Sequence, residues 1–357
     1  MYWTQSVREI IKAQENNQLV IFVGAGVSKN SSVPGWSELI RVFADEIDYR
    51  RDTSHDSGTA CTPCPAYTQE EMLRSPEYYF HRDASKDHAA YYRLIQDTLR
   101  CDSGPNPVDD IIFRILPHHI ITTNYDSLLE DSSMLNTRLY TVVREDSDLL
   151  SRSGERYLIK MHGDLNLPKS IVLKESDYLE YEQKHPLIST FIRSLLINHT
   201  FLFLGYSLND YNLNLIIGWI NYFSRYYGVE ARPMNFLVTT DETSEFERTR
   251  LEHNNISVVS LSSLPEDLPE KVSVPASLTY PAGQKLHSFL KCISEPQLLD
   301  AYVPLSELLA EKYQVLKAYR KISFRDFIRV CSLGHTKFIG RELVFYDKQW
   351  YDRACRL

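Results

Sequence analysis

The chain has 357 residues, 43% of them apolar and 24% charged, and a formal net charge of -8. Such a length predicts one sizeable core with insertions or a smaller appendage, and the apolar content excludes a disordered chain. The acidic balance and the lack of any Lys/Arg block exclude direct, non-specific nucleic-acid binding as a first function.

No run of about 18 apolar residues marks a membrane span. The opening MYWTQSVREI lacks the basic-then-apolar pattern of a signal peptide. A cytoplasmic protein without membrane attachment is expected. The six cysteines, Cys61, Cys64, Cys101, Cys292, Cys331 and Cys355, are too sparse for a disulfide framework. Cys61 and Cys64 form a CxxC pair without a partner pair, so no metal is expected.

Residues 6–14 carry helical periodicity and are followed by Leu19–Val23, a continuous apolar run that predicts a buried strand. Gly24-Ala25-Gly26 ends that strand, and a second helical pattern begins near Trp36 after the Pro34-Gly35 turn. Residues 52–67 are rich in Ser, Thr, Pro and Gly and read as an irregular surface segment over the site. From 69 to 115 the pattern is helical and rich in tyrosine, with Tyr78, Tyr79, Tyr91 and Tyr92, so about 45–115 reads as a helical insertion.

Short apolar runs then recur at 119–122, 139–143, 157–161, 201–204, 235–238 and 256–260, mostly with helical patterns between them. Alternation of this kind predicts an α/β fold: a doubly wound, Rossmann-like parallel sheet that binds ligands beyond the carboxyl ends of its strands. Pro265, Pro269, Pro275 and Pro281 close the region, giving a domain over 1–282 and a helical C-terminal region over 283–357. In that region Leu305, Leu308, Leu309, Tyr313 and Leu316 form a helical stripe suited to assembly or to packing on the chain's own sheet.

Four segments place small or polar residues just after a strand. In Gly24-Ala25-Gly26-Val27-Ser28 the glycines let backbone N–H groups approach a pyrophosphate, and Ser28 offers a further hydrogen bond. Lys29 stands where the common dinucleotide fingerprint has its third glycine, which argues against a hydride-transferring dehydrogenase. In Thr122-Thr123-Asn124-Tyr125-Asp126 the aspartate is either a helix cap or a site residue. Lys160-Met161-His162-Gly163-Asp164 delivers a histidine to a strand end, where it is structural or a proton acceptor. Gly205-Tyr206-Ser207-Leu208-Asn209-Asp210 again offers a glycine, a hydroxyl and a capping aspartate.

Together these four motifs, in this order from about Leu19 to Ser260, resemble the sirtuin family, in particular its bacterial immune branch of NAD-consuming effectors. The resemblance implies that Gly24, Ala25, Gly26 and Ser28 hold the NAD phosphates, that Asn124 and Asp126 face the nicotinamide ribose, and that His162 is the catalytic base. Thr123, Gly205, Ser207 and Asp210 complete the nucleotide site. Family deacylases usually carry a four-cysteine zinc ribbon after the histidine motif, yet no cysteine lies between Asp164 and Phe201. TTNYD also stands where deacylases show a TQN-type motif.

The resemblance therefore implies an NAD+ glycohydrolase that yields nicotinamide and ADP-ribose, with NAD+ as substrate and no metal. A homo-oligomer and an activating partner such as a HerA-type ATPase are implied too, because no fused sensor is visible. The alternatives are a deacylase or ADP-ribosyltransferase, which needs an acceptor groove, and a non-catalytic sensor of NAD or ADP-ribose.

Overall fold

The computed structural model describes residues 3–49, 68–101, 103–136, 139–151, 154–206, 214–220, 222, 233–240, 243–302, 336–339 and 342–345. Ser207, Asp210, the 52–67 segment with Cys61 and Cys64, and the stripe from Leu305 to Leu316 lie outside the described residues.

Seven parallel strands form one sheet: β1 (Leu19–Val23), β2 (His119–Thr122), β3 (Thr141–Val143), β4 (Tyr157–Lys160), β5 (Thr200–Leu204), β6 (Asn235–Thr239) and β7 (Ile256–Ser260). Their order is β3-β4-β2-β1-β5-β6-β7. On one side of β1 the chain lays down β2, then β3 at the edge and β4 between them; it then returns to build outward from β1 through β5, β6 and β7 on the other. The reversal of direction falls between β1 and β5, where doubly wound sheets open a binding crevice. This is the doubly wound α/β fold expected from the alternating pattern. Every residue of β1 and β5 is buried, which is why both read as unbroken apolar runs.

The register sets the site. Val23 lies opposite both Thr122 of β2 and Leu204 of β5, and Thr122 lies opposite Lys160 of β4. Four strands therefore end at one level, and their loops leave the sheet side by side.

The helices described before β5 are α1 (Trp3–Glu15), α2 (Ala25–Ser28), α3 (Trp36–Glu46), α4 (Gln69–Arg82), α5 (Ala89–Leu99), α6 (Pro107–Ile115), α7 (Leu128–Asn136), α8 (Asp146–Ser151), α9 (Glu175–Leu179), α10 (Tyr181–Lys184) and α11 (Pro186–Asn198). Two separate apolar clusters result. One joins the sheet to α11 through Phe22, Ile121, Ile159, Ile192, Phe201 and Phe203. The other is helical, with Leu39, Phe43, Tyr91, Ile95 and Leu99 packed on Tyr125 and Leu173. Tyrosines of the insertion account for part of the second: Tyr91 is fully buried and its ring lies 5.5 Å from that of Phe43.

Contacts divide the chain into two units, one reaching Leu290 and the other running from Lys291 to Leu357. Past residue 302 the described part of the second unit is a pair of antiparallel strands, β8 (Thr336–Ile339) and β9 (Glu342–Phe345), with Ile339 opposite Glu342. The sequence reading expected this region to be predominantly helical. Two short apolar runs separated by Gly340-Arg341 carry the two-residue hairpin signal that would have found them. Among the described residues no helix is long and apolar enough to cross a membrane.

At the opposite edge of the sheet from the aligned strand ends, three histidines cluster. His118 Nδ1 and His199 Nε2 are 2.9 Å apart, and the His119 Nδ1 accepts from the Tyr157 N–H at 3.1 Å. Burial, reinforced by His118, His199 and Arg156, pushes His119 down to about 3. An unfolded chain binds a proton at this histidine below about pH 6.5 whereas the folded one does not, so stability falls as pH drops through that window. His119→Asn keeps an acceptor for the Tyr157 amide and removes the titration. The loss of unfolding free energy between about pH 7 and pH 5 should shrink by about 2 kcal/mol in this variant, read by urea denaturation at the two pH values. An equal loss in both proteins would show that His119 is not held neutral.

Candidate active site

The loops after β1, β2 and β4 meet in one cavity of about 50 Å³. Its polar lining comes from Ser28, Thr123, Asn124, Asp126 and His162, and its apolar lining includes Ala25, Val33, Trp36, Leu99 and Tyr178. Three of the four segments singled out in the sequence thus converge on the same space.

Asn124, Ser28 and Asp126 form a hydrogen-bonded chain. The Asn124 Nδ2 donates to Ser28 Oγ at 2.9 Å and to the Gly24 carbonyl at 3.2 Å, and Ser28 Oγ donates in turn to Asp126 Oδ2 at 2.8 Å. With its amide nitrogen fixed this way, Asn124 leaves its Oδ1 buried without a partner. A buried acceptor left unmet is costly, and this one lies in a residue that lines the cavity. Asp126 takes both roles the sequence allowed: its Oδ1 accepts from Leu128 N–H at the start of α7, while its Oδ2 belongs to the site. Burial raises the Asp126 carboxyl, opposed by the Ser28 hydrogen bond and the charge of Lys160.

His162 follows β4 and is almost fully buried, with Tyr178 edge-on at 5.3 Å between ring centroids and Tyr181 at 5.9 Å. Burial, with the charge of His185 second, pushes it down to about 3. The imidazole is neutral at pH 7 and can accept a proton.

Gly24, Gly26 and Gly205 are brought to the site edge and knit the loops together. Gly24 N–H donates to the Leu204 carbonyl at 2.8 Å, and Gly26 N–H to that of Gly205 at 3.0 Å. These two amides are therefore engaged between loops, and the expected use of glycine for close approach is realised first between backbones. A Cβ on Gly26 would lie 2.8 Å from Gly205 Cα. Gly205 has φ +74, and a Cβ there would lie 2.7 Å from the Gly24 oxygen. Thr123 Oγ1 is 2.9 Å from Tyr206 Oη, which also donates to the Val23 carbonyl.

Several site residues went unread in the sequence. Trp36 and Tyr178 looked like ordinary helical positions, and their place in the cavity wall depends on tertiary packing. Lys160 looked like the body of a strand, although its Nζ reaches the Tyr125 and Asp126 carbonyls at 3.2 and 2.6 Å. Outside the cavity lining, Asp109 of α6 accepts from Asn106 N–H. Its burial, with Asp126 and Asp110 nearby, pushes it up to about 8 against that hydrogen bond. Among the described residues no group of three His, Cys, Asp or Glu side chains is placed to hold a metal ion.

A doubly wound sheet with polar loops converging at a strand-order reversal has the architecture of the nucleotide-binding α/β proteins. Residues 118–259 match the SIR2-like domain family. The chain is 31% identical over 265 residues to Defense-associated sirtuin 2 of Bacillus subtilis, covering 73% of this chain and 25% of that protein. It is 28% identical over 218 residues to NAD(+) hydrolase ThsA of Acinetobacter baumannii, covering 60% of this chain and 41% of that one. The chain thus spans a quarter to two fifths of the length of these relatives. A crystal structure of a Sir2 homologue–NAD complex aligns with a TM-score of 0.37 at 13% identity, covering 80% of this chain and 94% of that chain. The chain belongs to the SIR2-like family.

The contact between the β1 and β5 loops is directly testable. Gly205→Ala combines a left-handed backbone with a Cβ inside contact distance of the Gly24 oxygen, and should cost about 2 kcal/mol or more of unfolding free energy. Denaturant titration reads this, and a cost under about 0.5 kcal/mol would mean the two loops separate readily.

Proposed function

We propose that the protein is an NAD+ glycohydrolase, cleaving NAD+ to nicotinamide and ADP-ribose, and that it acts as an NAD-depleting effector in bacterial antiphage defence. One observation carries the reading: a neutral, buried His162 and an Asn124 with an unmet Oδ1 line the same cavity. The names borne by its relatives, a defence-associated sirtuin and an NAD(+) hydrolase, favour it further.

The chemistry asks for little beyond these groups. As the C1′–N bond breaks, its electron pair passes to the pyridinium nitrogen and nicotinamide departs neutral. A water oxygen bonds to C1′ and its proton passes to His162, while Asn124 Oδ1 accepts a hydrogen bond from that water or a ribose hydroxyl. Ser28, Thr123 and the glycine loops are assigned to the remainder of the dinucleotide, together with Ser207 and Asp210. On this reading the nicotinamide end of the dinucleotide packs against the walls formed by Trp36, Leu99 and Tyr178.

Transfer to a bulky acceptor is the poorer reading, because Tyr178 and Tyr181 stand against the ring of a histidine only 1% exposed. Restraint of so damaging an activity is assigned to assembly in the cytoplasm, as a homo-oligomer switched on by a partner such as a HerA-type ATPase.

Purified protein incubated with NAD+, alone and with a candidate partner, should release nicotinamide and ADP-ribose in equal amounts. His162→Ala and Asn124→Ala should each lower the rate by about 100-fold or more, followed by chromatography. No release under any condition overturns the glycohydrolase reading, and NAD-dependent loss of acyl groups from a lysine peptide would replace it with transfer.

A further inference from the structure

Lys160 closes β4, two residues before His162, and its side chain is wholly buried. Its Nζ meets four oxygens: the peptide carbonyls of Tyr125 and Asp126 at 3.2 and 2.6 Å, Glu130 Oε1 of α7 at 2.8 Å and Asp164 Oδ2 at 3.1 Å. Arg144, just beyond β3, completes the group, with its Nε 2.6 Å from Asp164 Oδ2 and its NH2 3.5 Å from Glu130 Oε1. Two cations and two carboxylates balance, so the network is neutral. What it grips is a short stretch of main chain, the peptide units just after Asn124.

The strand that carries His162 and the loop that carries Asn124 and Asp126 are thus tied at several points. Met161 N–H donates to the Thr122 carbonyl at 2.8 Å, and Leu165 N–H to that of Tyr125 at 3.0 Å. Just past the second tie, the Asp126 carbonyl accepts from the Lys160 ammonium. Other donors could satisfy a carbonyl at lower desolvation cost. A buried ammonium adds a fixed, charge-assisted hold on the direction in which that peptide points.

We propose that Lys160 is a positioning residue for the active site, pinning the Tyr125–Asp126 peptides so that Asn124 and Asp126 keep a fixed distance from His162. It touches neither substrate nor reacting atoms. Its kinetic consequence rests on the glycohydrolase reading, and its mechanical consequence does not.

Removing the lysine alone would leave a buried carboxylate uncompensated and could unfold the chain. The informative variant is Lys160→Met combined with Glu130→Gln, which preserves neutrality and leaves Arg144 on Asp164; Arg144→Met combined with Glu130→Gln, equally neutral but keeping Lys160 on Asp164, is the control. Amide hydrogen exchange on the full chain is the first measurement. In the double variant exchange over residues 123–128 should accelerate by about tenfold or more, with β1 and β5 unchanged, and the control should match the parent protein. The second measurement is NAD+ turnover beside ADP-ribose binding: kcat should fall by about 100-fold while ADP-ribose affinity is little changed.

Unchanged exchange over 123–128, or an equal rise across the whole sheet, overturns the proposal. So does a double variant with locally loosened exchange and undiminished kcat. If the parent protein itself never turns over NAD+, the function reading fails, and the exchange measurement alone still decides whether Lys160 holds the loop.

Discussion

A lysine ammonium enclosed at the carboxyl edge of the sheet carries a heavy desolvation cost, and the loops of the candidate site are arranged around it. Taking one ion from water into a protein interior costs several kcal/mol, which mutual attraction recovers only when geometry is good and every donor is used. Lys160 meets that condition through Glu130, Asp164 and two carbonyls. Burial pushes the Asp164 carboxyl up, but Lys160 and Arg144 outweigh it and hold the group below its ordinary value. Glu130, for which burial dominates, sits above. An apolar residue of equal size could fill such a space with similar stability; what it could not do is orient a peptide carbonyl.

The cavity sits at the seam between two apolar clusters. Its polar residues hang from the sheet, whereas Val33, Leu39 and Leu99 of its wall belong to the helical cluster formed in part by the insertion. Tyr125 crosses the seam, packing in the helical cluster while its hydroxyl donates to the Val172 carbonyl at 2.8 Å. Close-packed cores resist continuous deformation, so motion is easiest where two of them abut. On the glycohydrolase reading, this division puts the polar residues on one side of the site and an apolar wall on the other.

Much of this was legible in the sequence because it depends on local pattern. Buried parallel strands are continuous apolar runs, and β1, β2 and β7 coincide with theirs. Once strands alternate with helices, the residues that follow each strand fall on one edge, which is how Ser28, Asn124, Asp126 and His162 could be grouped before any coordinates. Lys160 was illegible for the same reason: inside an apolar run a lone lysine looks like a strand residue facing solvent, and only the third dimension shows Glu130 and Asp164 waiting for it. Trp36 and Tyr178 are separated in sequence from Asn124 and His162 by whole elements. The glycines were read as a phosphate cradle, yet the N–H groups of Gly24 and Gly26 are committed to the β5 loop, a pairing no local pattern encodes.

On the glycohydrolase reading, Asp126 gives the site a direction. Burial holds its proton more tightly than in water, against the pull of Lys160 and Ser28. A pyridinium ring carries a positive charge into this setting and favours the ionised carboxylate. Cleavage makes the ring neutral and removes that attraction at the moment the bond breaks. ADP-ribose, bearing only negative charge, gains nothing from Asp126. The same buried carboxyl thus favours the cationic substrate over either product, which is what a depleting enzyme needs to keep turning over as its products accumulate.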